Sequence, residues 1–405
     1  MPSSTPRIRA RGSRALTARG ARPTLLPMND GVTKNTPRPS DGTTEPVRFG
    51  REAYTDPAFH ARENERLFAR RWVFAGLAED AAGAGAVCPV EVAGRALLLA
   101  RDGAGTLRVF HNFCRHRGMR LVDEARTSRA IVCPYHGWSY ALDGALLKTP
   151  HAGGLDVHDR AGLASPIPGL KPVRHAQWGP LVFVDLSGTA PAFEDYMAPL
   201  MRRWAGYDFA TLRRAASRRY EIGANWKLVI ENFIDVYHLP YVHPGLESYC
   251  AMRDHSFIHD NDVFIGQSTD QYAPTDAAAG ALPAIPGAPA GAASRMDAFA
   301  VFPNLCMTLF HDNLRIIHCR PDGPGRTVER VEVFLSGGAA HDPALAGARE
   351  ALIQRFEEFN LEDVALVERL QASLASSAWD GGHFVGPMDG GVERFQRLLA
   401  QALAD

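Results

Sequence analysis

Short apolar runs separated by turn residues occur in both halves of the chain. In the first half, Ala96–Ala100 and Pro180–Asp185 have the length and the aliphatic content that predict β-strands. In the second half, Phe299–Phe302, Leu314–His318 and Val328–Phe334 predict sheet strands on the same grounds. The pattern therefore predicts strands in two separate regions of the chain.

Between and before these runs, apolar residues recur at helical spacing. Residues 50–72 predict one or two helices, and the side chains expected to face inward are Phe59, Leu67, Phe68 and Trp72. A polar, helical connector is predicted over Phe193–Leu212, and an amphipathic helix over Glu362–Gln371. Ala273–Ser294, dense in Ala, Gly and Pro, predicts a mobile loop that is either a cover over a pocket or a surface insertion.

The composition allows two domains and argues against two classes of partner. At 405 residues and 46% hydrophobic content, the chain has enough apolar side chains for two cores. A formal net charge of −1 gives no reason to expect binding to nucleic acid or to an anionic membrane surface. No apolar run approaches the ~20 residues of a transmembrane helix, so no membrane span is expected.

The first 46 residues are rich in Arg, Ser, Thr, Pro and Gly without apolar periodicity, which predicts a disordered extension. No acidic residue precedes Asp30 in this Arg-rich segment. Such a start resembles an organellar transit peptide. It fits equally well a tail that adheres to nucleic acid, or a start codon placed too early, with Met28 as the true beginning.

Two short motifs each combine a cysteine with a histidine. The first is Cys114-Arg-His116, and the second is Cys133-Pro-Tyr-His136. Two thiolates can bind one iron and two imidazoles a second iron, which is the ligand set of a Rieske [2Fe–2S] cluster. Gly118 allows the chain to turn behind the first pair.

Zinc is the main alternative, because two cysteines and two histidines also suit a tetrahedral zinc site. Zinc fingers, however, pair Cys with Cys and His with His along the chain, whereas each pair here is mixed. The cluster is therefore the favoured interpretation. The remaining cysteines have no spacing pattern and are expected to be buried thiols in a reducing cytoplasm: Cys88, Cys250, Cys306 and Cys319.

A second metal site is predicted in the helical segment that begins at Asn225. Asp235 and His238 are three residues apart and would share one face of that helix. His243, five residues further on, would point elsewhere on a straight helix. Pro240 should end or kink the helix, so that His243 can turn back towards His238. Two histidines and a carboxylate are the ligands of non-haem Fe(II) oxygenases.

Taken together, these motifs resemble those of the α subunits of Rieske non-haem iron oxygenases, also called ring-hydroxylating oxygenases. The resemblance covers nearly everything from about Arg48 onwards, including Tyr54–Phe59, Leu67–Trp72 and the C-terminal helix. It implies an α+β fold, with an N-terminal β-rich Rieske [2Fe–2S] domain followed by a helix-grip (Bet v 1/START-like) catalytic domain with an antiparallel sheet. The expected divisions are the disordered extension, the N-terminal helices with the Rieske domain, and the catalytic domain, at residues 1–46, 47–187 and 188–405.

The resemblance also assigns roles around the mononuclear iron. It implies that His238 and His243 bind Fe(II). It further implies that Asp235 is the carboxylate that links this iron to a cluster histidine of a neighbouring subunit, in a homotrimer.

The third iron ligand is less clearly marked in the sequence. Asp363 resembles the late carboxylate of the family, and Glu362, Asp380 and Asp389 are the alternatives. The Glu362-Asp363 pair, followed by a Glu and a Gln, resembles family members that act on choline, glycine betaine and carnitine.

The resemblance implies the oxygenase component of a multicomponent enzyme, which uses O2 and electrons from an NAD(P)H-dependent reductase, directly or through a ferredoxin. Three kinds of substrate are compatible: an aromatic compound that becomes hydroxylated, an N-methyl compound that becomes demethylated, and a quaternary ammonium compound. One alternative is a Rieske electron-transfer protein without oxygenase activity, which would not need Asp235, His238 and His243. Another is a non-enzymatic ligand-binding protein, which would not explain the cluster motif.

Overall fold

The computed structural model describes residues 47–158, 165–166, 169–276 and 278–404. The predicted disordered extension, residues 1–46, lies outside the described residues. Within these ranges the chain begins with short helices, continues mainly as antiparallel strands and ends in two longer helices.

Seventeen strands are present in the described residues. In chain order they are β1 (Trp72–Leu77), β2 (Ala86–Val92), β3 (Arg95–Arg101), β4 (Leu107–His111), β5 (Arg126–Thr127), β6 (Ile131–Val132), β7 (Ser139–Tyr140), β8 (Leu146–Lys148), β9 (Arg174–Trp178), β10 (Leu181–Asp185), β11 (Leu212–Ile222), β12 (Ser256–Ile258), β13 (Phe264–Thr269), β14 (Met296–Val301), β15 (Leu305–Leu309), β16 (Asn313–Pro321) and β17 (Thr327–Ser336).

The helices of the described chain are mostly short. They are α1 (Glu52–Thr55), α2 (Pro57–Arg62), α3 (Phe193–Arg203), α4 (Trp226–Ile234), α5 (Leu239–Val242), α6 (Pro244–Glu247), α7 (Ala346–Ser373) and α8 (Gly390–Ala404). A π-helical segment, Glu63–Phe68, continues α2. Single 3₁₀ turns occur at Ala78–Ala81, Phe209–Thr211, Met252–Asp254, Ala292–Ser294, Gly337–Ala340 and Pro343–Leu345.

The strands of the first half form three small antiparallel sheets. One joins β1, β10 and β9, the second joins β4, β3, β2 and β5, and the third joins β6, β7 and β8. The predicted runs Ala96–Ala100 and Pro180–Asp185 lie in β3 and β10, apart from Pro180, which precedes β10, so both strand predictions are confirmed. The side chains predicted to face inward are all buried: Phe59, Leu67, Phe68 and Trp72. Trp72, however, opens β1 and does not belong to the preceding helices.

The strands of the second half form one antiparallel sheet of seven, in the order β11-β17-β16-β15-β14-β13-β12. The first of these strands therefore lies beside the last. The predicted runs of this half lie in β14, β16 and β17, apart from Phe302, which follows β14. Small sheets followed by a large antiparallel sheet with helices confirm the predicted α+β class.

The two faces of the seven-stranded sheet have different partners. On one face, Phe299, Met307 and Ile316 belong to an apolar cluster that also contains Phe74 of β1 and Phe183 of β10. The opposite face contributes side chains to the wall of a cavity beneath α7: Ala298, Thr308, Arg315 and Ile317. The alternation along each strand thus separates the packing against the first-half sheets from the cavity.

Helix α7 lies along this second face. Its Asn360 donates from Nδ2 to Glu329 Oε1 of β17 at 2.6 Å, and its Glu357 accepts from the Tyr220 hydroxyl of β11 at 3.2 Å. A sheet with a long helix against one face is the arrangement that the helix-grip prediction requires. The predicted amphipathic helix over Glu362–Gln371 is confirmed as part of α7.

The helix that begins at Asn225 ends earlier than predicted. The Asn225 side chain caps α4 by accepting from Lys227 N–H at 2.9 Å, but the helix stops at Ile234, and Asp235 is already extended. The Asp235 carboxylate accepts from Tyr237 N–H at 2.6 Å, a local bond that competes with helix continuation. The prediction that Asp235 and His238 share a helical face and that Pro240 ends this helix is therefore wrong. Pro240 lies in the first turn of α5, where its missing N–H costs nothing.

Ala277 lies outside the described residues; the rest of the segment Ala273–Ser294 is irregular, as predicted, apart from the turn at Ala292–Ser294. Several of its apolar side chains are nevertheless buried, and Ala278 and Leu282 join a cluster with Tyr272 and Phe310. A surface insertion would leave these side chains in water, so the segment is better described as a packed loop behind the cavity wall.

A buried ion pair ties the N-terminal helices to α4. Lys227 Nζ lies 2.6 Å from Glu63 Oε1, and both side chains have no solvent-exposed surface. The Trp226 indole donates to the other Glu63 oxygen at 3.2 Å. The same ammonium lies 5.2 Å from the ring centre of Tyr54, within cation–π range. Glu63 therefore has partners for both of its oxygens.

We predict that Lys227→Ala destabilises the protein by about 3–5 kcal/mol, because it leaves the Glu63 carboxylate buried without its counter-charge. The measurement is the urea unfolding midpoint followed by tryptophan fluorescence. The double variant Glu63→Gln/Lys227→Met should recover much of this loss. As a control, Glu65→Gln alters a neighbouring side chain that is 69% exposed and should leave the midpoint nearly unchanged. An equally stable Lys227→Ala protein would contradict the role of the pair.

Candidate metal centres

The two cysteine–histidine motifs form a pair of matching loops. Cys114 N–H donates to the Met119 carbonyl at 2.7 Å, and Cys133 N–H donates to the Trp138 carbonyl at the same distance. In each loop the glycine four residues after the cysteine donates back to the cysteine carbonyl. These glycines have φ values of 75° and 68°, which only glycine adopts without strain. The shared backbone pattern explains why each motif needs its Gly.

The four side chains divide by chemical type. Cys114 and Cys133 are each 2% exposed within an apolar cluster, whereas both histidines are exposed. The His116 and His136 rings have centroids 4.8 Å apart, and His116 stacks on Trp138, also at 4.8 Å. The thiols therefore lie on the inner side and the imidazoles at the surface.

This division is incompatible with a single zinc ion. The described residues contain two groups of three or more His, Cys, Asp or Glu whose ligand atoms all lie within 4.8 Å, and neither group includes these four residues. A tetrahedral zinc ion would bring all four ligand atoms within that distance. Paired thiols and paired imidazoles that do not converge on one point instead fit a two-iron cluster with unlike ends.

Tyr140 adds a hydrogen bond to the thiol end. Its hydroxyl oxygen lies 3.3 Å from Cys114 Sγ and accepts from Arg115 N–H at 3.0 Å, which leaves the phenolic proton free to point at sulfur. Burial, and then the bond to Cys114, raise the pKa of Tyr140, so the group remains a donor. The sequence analysis did not identify this residue. The signal was a Tyr two residues beyond Trp138 in a two-residue strand that follows the second motif.

His238, His243 and Asp363 meet at the second predicted metal site. Asp363 Oδ1 lies 2.9 Å from His243 Nε2 and 3.6 Å from His238 Nε2. These three side chains are one of the two groups of ligand atoms within 4.8 Å in the described chain. The other group lies on an exposed loop and comprises His151, Asp156 and His158.

Two further carboxylates hold the outer nitrogens of these histidines. His238 Nδ1 lies 3.0 Å from Asp235 Oδ2, and His243 Nδ1 lies 2.6 Å from Glu362 Oε2. In metal sites, a carboxylate on the far nitrogen fixes the tautomer and aims the near nitrogen at the metal. Glu362, considered above as a possible ligand, is therefore placed to orient His243, and the neighbouring Asp363 faces both Nε2 atoms.

The other two alternatives for the third ligand do not join the group. Asp380 is exposed and accepts from the backbone of Gly382. Asp389 accepts from Val385 N–H, and burial, together with the charge of Asp235, raises its pKa. Neither carboxylate is among the described ligand atoms that converge on the two histidines.

The electrostatics of this site favour positive charge. Burial opposes charging of His238, but hydrogen bonds to Asp235 and Asp363 outweigh it and raise the pKa of His238 to about 9. Burial likewise tends to raise the pKa of Asp363, yet its bonds from His238 and His243 lower that pKa to about 2. A site that favours cations, with two imidazoles and one carboxylate, fits Fe(II).

A cavity of about 100 Å³ adjoins the three side chains, between α7 and the sheet. Its wall combines aliphatic and polar side chains with five aromatic ones, Phe233, Tyr272, Phe310, Phe356 and Phe359. An apolar protein cavity of ~150 Å³ holds a molecule the size of benzene, so this cavity suits a small ligand. The sequence analysis did not identify Arg315, a charged residue in the same wall. The signal was a charge within the apolar run Leu314–His318.

Comparison with protein families agrees with this division of the chain. Residues 71–159 match the Rieske [2Fe-2S] domain, and residues 209–405 match the catalytic domain of ring-hydroxylating α subunits. The first range contains the two cysteine–histidine loops, and the second contains His238, His243 and Asp363.

Several known proteins are similar to most of the chain. The chloroplastic choline monooxygenase of Beta vulgaris is 27% identical over 379 residues, 90% of this chain and 78% of that protein. The carnitine monooxygenase oxygenase subunit of Escherichia coli K12 is 27% identical over 380 residues, 91% of this chain and 96% of that protein. The glycine betaine monooxygenase oxygenase subunit of Chromohalobacter salexigens is 38% identical over 194 residues, 48% of this chain and 42% of that protein.

Solved structures support the fold. The quaternary ammonium Rieske monooxygenase CntA in complex with L-carnitine has a TM-score of 0.72 at 22% identity, over 88% of this chain and 95% of the other. Naphthalene 1,2-dioxygenase with bound indole has a TM-score of 0.72 at 18% identity, over 89% and 92% of the two chains. At these identities the likeness shows the fold alone.

The chain belongs to the Rieske non-haem iron oxygenases, as a protein with a Rieske [2Fe–2S] domain and a catalytic domain of the mononuclear iron type. More particularly, it is an oxygenase α subunit similar to the quaternary ammonium monooxygenases and related to the aromatic dioxygenases. The electron-transfer alternative is not favoured. Within the described part of the chain, no helix is both long enough and apolar enough to cross a bilayer.

We predict that Tyr140→Phe lowers the reduction potential of the cluster, because a hydrogen bond to sulfur stabilises the more negative reduced form more than the oxidised form. A difference of about 1 kcal/mol corresponds to roughly 40 mV for one electron. The measurement is a redox titration followed by electron paramagnetic resonance. Tyr135→Phe, which removes a hydroxyl from a side chain that is 54% exposed, is the control and should leave the potential unchanged. Equal potentials in all three proteins would contradict the assignment.

Proposed function

We propose that His238, His243 and Asp363 bind the mononuclear Fe(II), and that Cys114, His116, Cys133 and His136 bind the [2Fe–2S] cluster. The observation that carries this proposal is the convergence of two Nε2 atoms on one Asp363 oxygen, while the Nδ1 atoms are held by Asp235 and Glu362. Fe(II) held by two histidines and a carboxylate supplies the activation of O2 for insertion into a substrate bond. We retain residues 47–187 and 188–405 as the proposed domain divisions.

In this proposal the protein groups orient the site and exclude water. Asp235 and Glu362 fix the two imidazole rings, so that the ligand nitrogens face the cavity. His243 is 2% exposed, which keeps its side of the site dry. The aromatic and aliphatic side chains of the cavity wall shield the bound substrate from solvent and hold it near the three ligands.

Asp235 is the proposed link between subunits. One of its oxygens contacts His238 Nδ1, and its side chain is 22% exposed, so it can be reached from outside the subunit. The histidines of the cluster are also exposed. We infer a homotrimer in which a cluster histidine of one subunit contacts Asp235 of the next, and electrons cross at that contact. An NAD(P)H-dependent reductase, with or without a ferredoxin, is the proposed electron donor, and the cytoplasm the proposed compartment.

The proposed substrate is a small quaternary ammonium or N-methyl compound. Relatives with this chemistry in their names align with 90% or more of the chain, and a cavity of about 100 Å³ suits a substrate of that size. An aromatic wall can also stabilise a methylated ammonium group. A small aromatic compound is the second candidate, because the same rings would pack against it.

The test of the iron site is metal analysis of anaerobically purified protein. The wild type should contain about three irons and two acid-labile sulfides per chain. Asp363→Ala should lose one iron, keep the cluster absorbance and show no substrate-dependent O2 uptake. Glu358→Ala, a charge removed from the exposed side of the same helix, is the matched control. An Asp363→Ala protein that retains the third iron would contradict the ligand assignment.

The test of the bridging role is Asp235→Asn. This variant should keep both metal centres, because the amide oxygen can still accept from His238 Nδ1. It should lose most turnover with reductase, since the charged contact to the neighbouring subunit is gone. Metal content, trimer mass by light scattering and NADH-coupled O2 uptake are the measurements. Full activity would contradict the bridging role.

A further inference from the structure

Arg315 is a charged side chain in the wall of the iron-site cavity. It lies in β16, and its neighbours Leu314 and Ile316 point to the opposite face, where each is 0% exposed. Its guanidinium donates to Thr308 Oγ1 at 3.3 Å, and its guanidinium carbon lies 4.7 Å from the Phe356 ring centre. Its Nε is buried and has no hydrogen-bond partner. The guanidinium thus faces the cavity with N–H donors that are still free to bind a ligand.

Other partly or fully buried arginines of this chain have a carboxylate partner. Arg203 pairs with Asp297 at 2.9 Å, Arg330 with Asp80 at 2.8 Å, and Arg355 with Asp276 at 2.9 Å. Among the described residues, no carboxylate oxygen lies within salt-bridge distance of Arg315. Arg315 is partly buried, and a partly buried charge without a counter-ion is costly, so the missing anion is expected to come from a ligand.

The neighbouring ionisable groups do not supply this charge. Burial lowers the pKa of His255 and raises the pKa of the Cys250 thiol, so both are neutral at pH 7. Burial raises the pKa of Glu329 to about 7, so this acid is only partly ionised. The charge of Asp363 also acts on Arg315, but in the proposed function that charge is shared with the metal. Arg315 can therefore still bind an anion.

We propose that Arg315 binds a carboxylate of the substrate and holds the other end of the molecule at the metal ligands. This inference rests on the proposed function and narrows it to quaternary ammonium or N-methyl carboxylates. Arg315 and Asp363 line the same cavity of about 100 Å³. A small molecule whose carboxylate pairs with the guanidinium therefore has its other end close to the metal ligands.

The same geometry disfavours choline as the substrate. Choline carries a positive charge without a negative one, so it would place a cation in a cavity whose guanidinium is not neutralised. Trimethylglycine has the same trimethylammonium group but carries a carboxylate in place of the alcohol. An Arg side chain in the cavity wall without an ion pair of its own selects between these two molecules by repelling one and pairing with the other.

The test uses the purified chain with its iron and cluster contents verified. Anaerobic titration calorimetry measures the binding of trimethylglycine, L-carnitine, γ-trimethylaminobutyrate and choline, so that carboxylates at several distances from the ammonium are sampled. The variants are Arg315→Gln and Arg315→Lys. Arg326→Gln is the control, because it removes the same charge from a side chain that is 69% exposed, in the turn after β16.

The wild type should bind at least one carboxylate more tightly than choline. Arg315→Gln should weaken the binding of that carboxylate by about thirtyfold or more. This is the loss expected when one partner of a desolvated charge pair is removed. Arg315→Lys should weaken it less, and Arg326→Gln should have no effect. If Arg315→Gln loses its metals, the Arg315→Lys comparison decides the question.

Three results would overturn the proposal: no carboxylate binds the wild type, choline binds as tightly as every carboxylate, or an Arg315→Gln protein with intact metals binds its carboxylate normally. Substrate-dependent O2 uptake tests the proposed function separately. O2 uptake with choline but with none of the carboxylates would support quaternary ammonium oxidation as the function. It would contradict carboxylate binding by Arg315. Carboxylate binding that depends on Arg315, without uptake for any of these compounds, would remove the proposed function alone.

Discussion

The position of helix α4 depends on an ion pair that is fully buried in the protein. Lys227 and Glu63 form an ion pair with no exposed surface, and one helical turn later Glu231 accepts from Tyr54 and from Gln396 of α8. These contacts join the first helices, α4 and the last helix into one unit. Because the chain leaves α4 directly into the Asp235–His243 segment, the placement of that unit also sets the placement of the two histidines.

The carboxylates around the iron site contact its two histidines from opposite sides of their rings. Asp363 faces both Nε2 atoms, while Asp235 and Glu362 hold the Nδ1 atoms from outside. Asp363 and Glu362 are consecutive residues of α7, so one helix supplies both a proposed ligand and the support for a different ligand. A shift of α7 would therefore disturb the iron site through two contacts at once.

Much of this architecture was predictable from the sequence, because the cysteine–histidine motifs and the strand runs are local patterns. The end of α4 was not, because a side-chain bond of Asp235 stops the helix at Ile234, ahead of Pro240, where the sequence predicts its end. Asp363 was ranked first by resemblance, but the choice over Glu362 required the orientation of both side chains towards His243. Arg315 was missed for a related reason. The role of a charged residue within a strand can be inferred only when the residues that surround its side chain are known.

The order of the elements along the chain has a consequence for synthesis. Strand β11 pairs with β17, and His243 meets Asp363 across 120 residues of sequence, so neither the sheet nor the iron site can close locally. When the ribosome has added His238 and His243 to the chain, it has not yet added Asp363. The cluster loops, by contrast, lie close together in sequence and can close much earlier. The two metal centres would thus mature at different times, the cluster first and the mononuclear iron after nearly the whole chain has emerged.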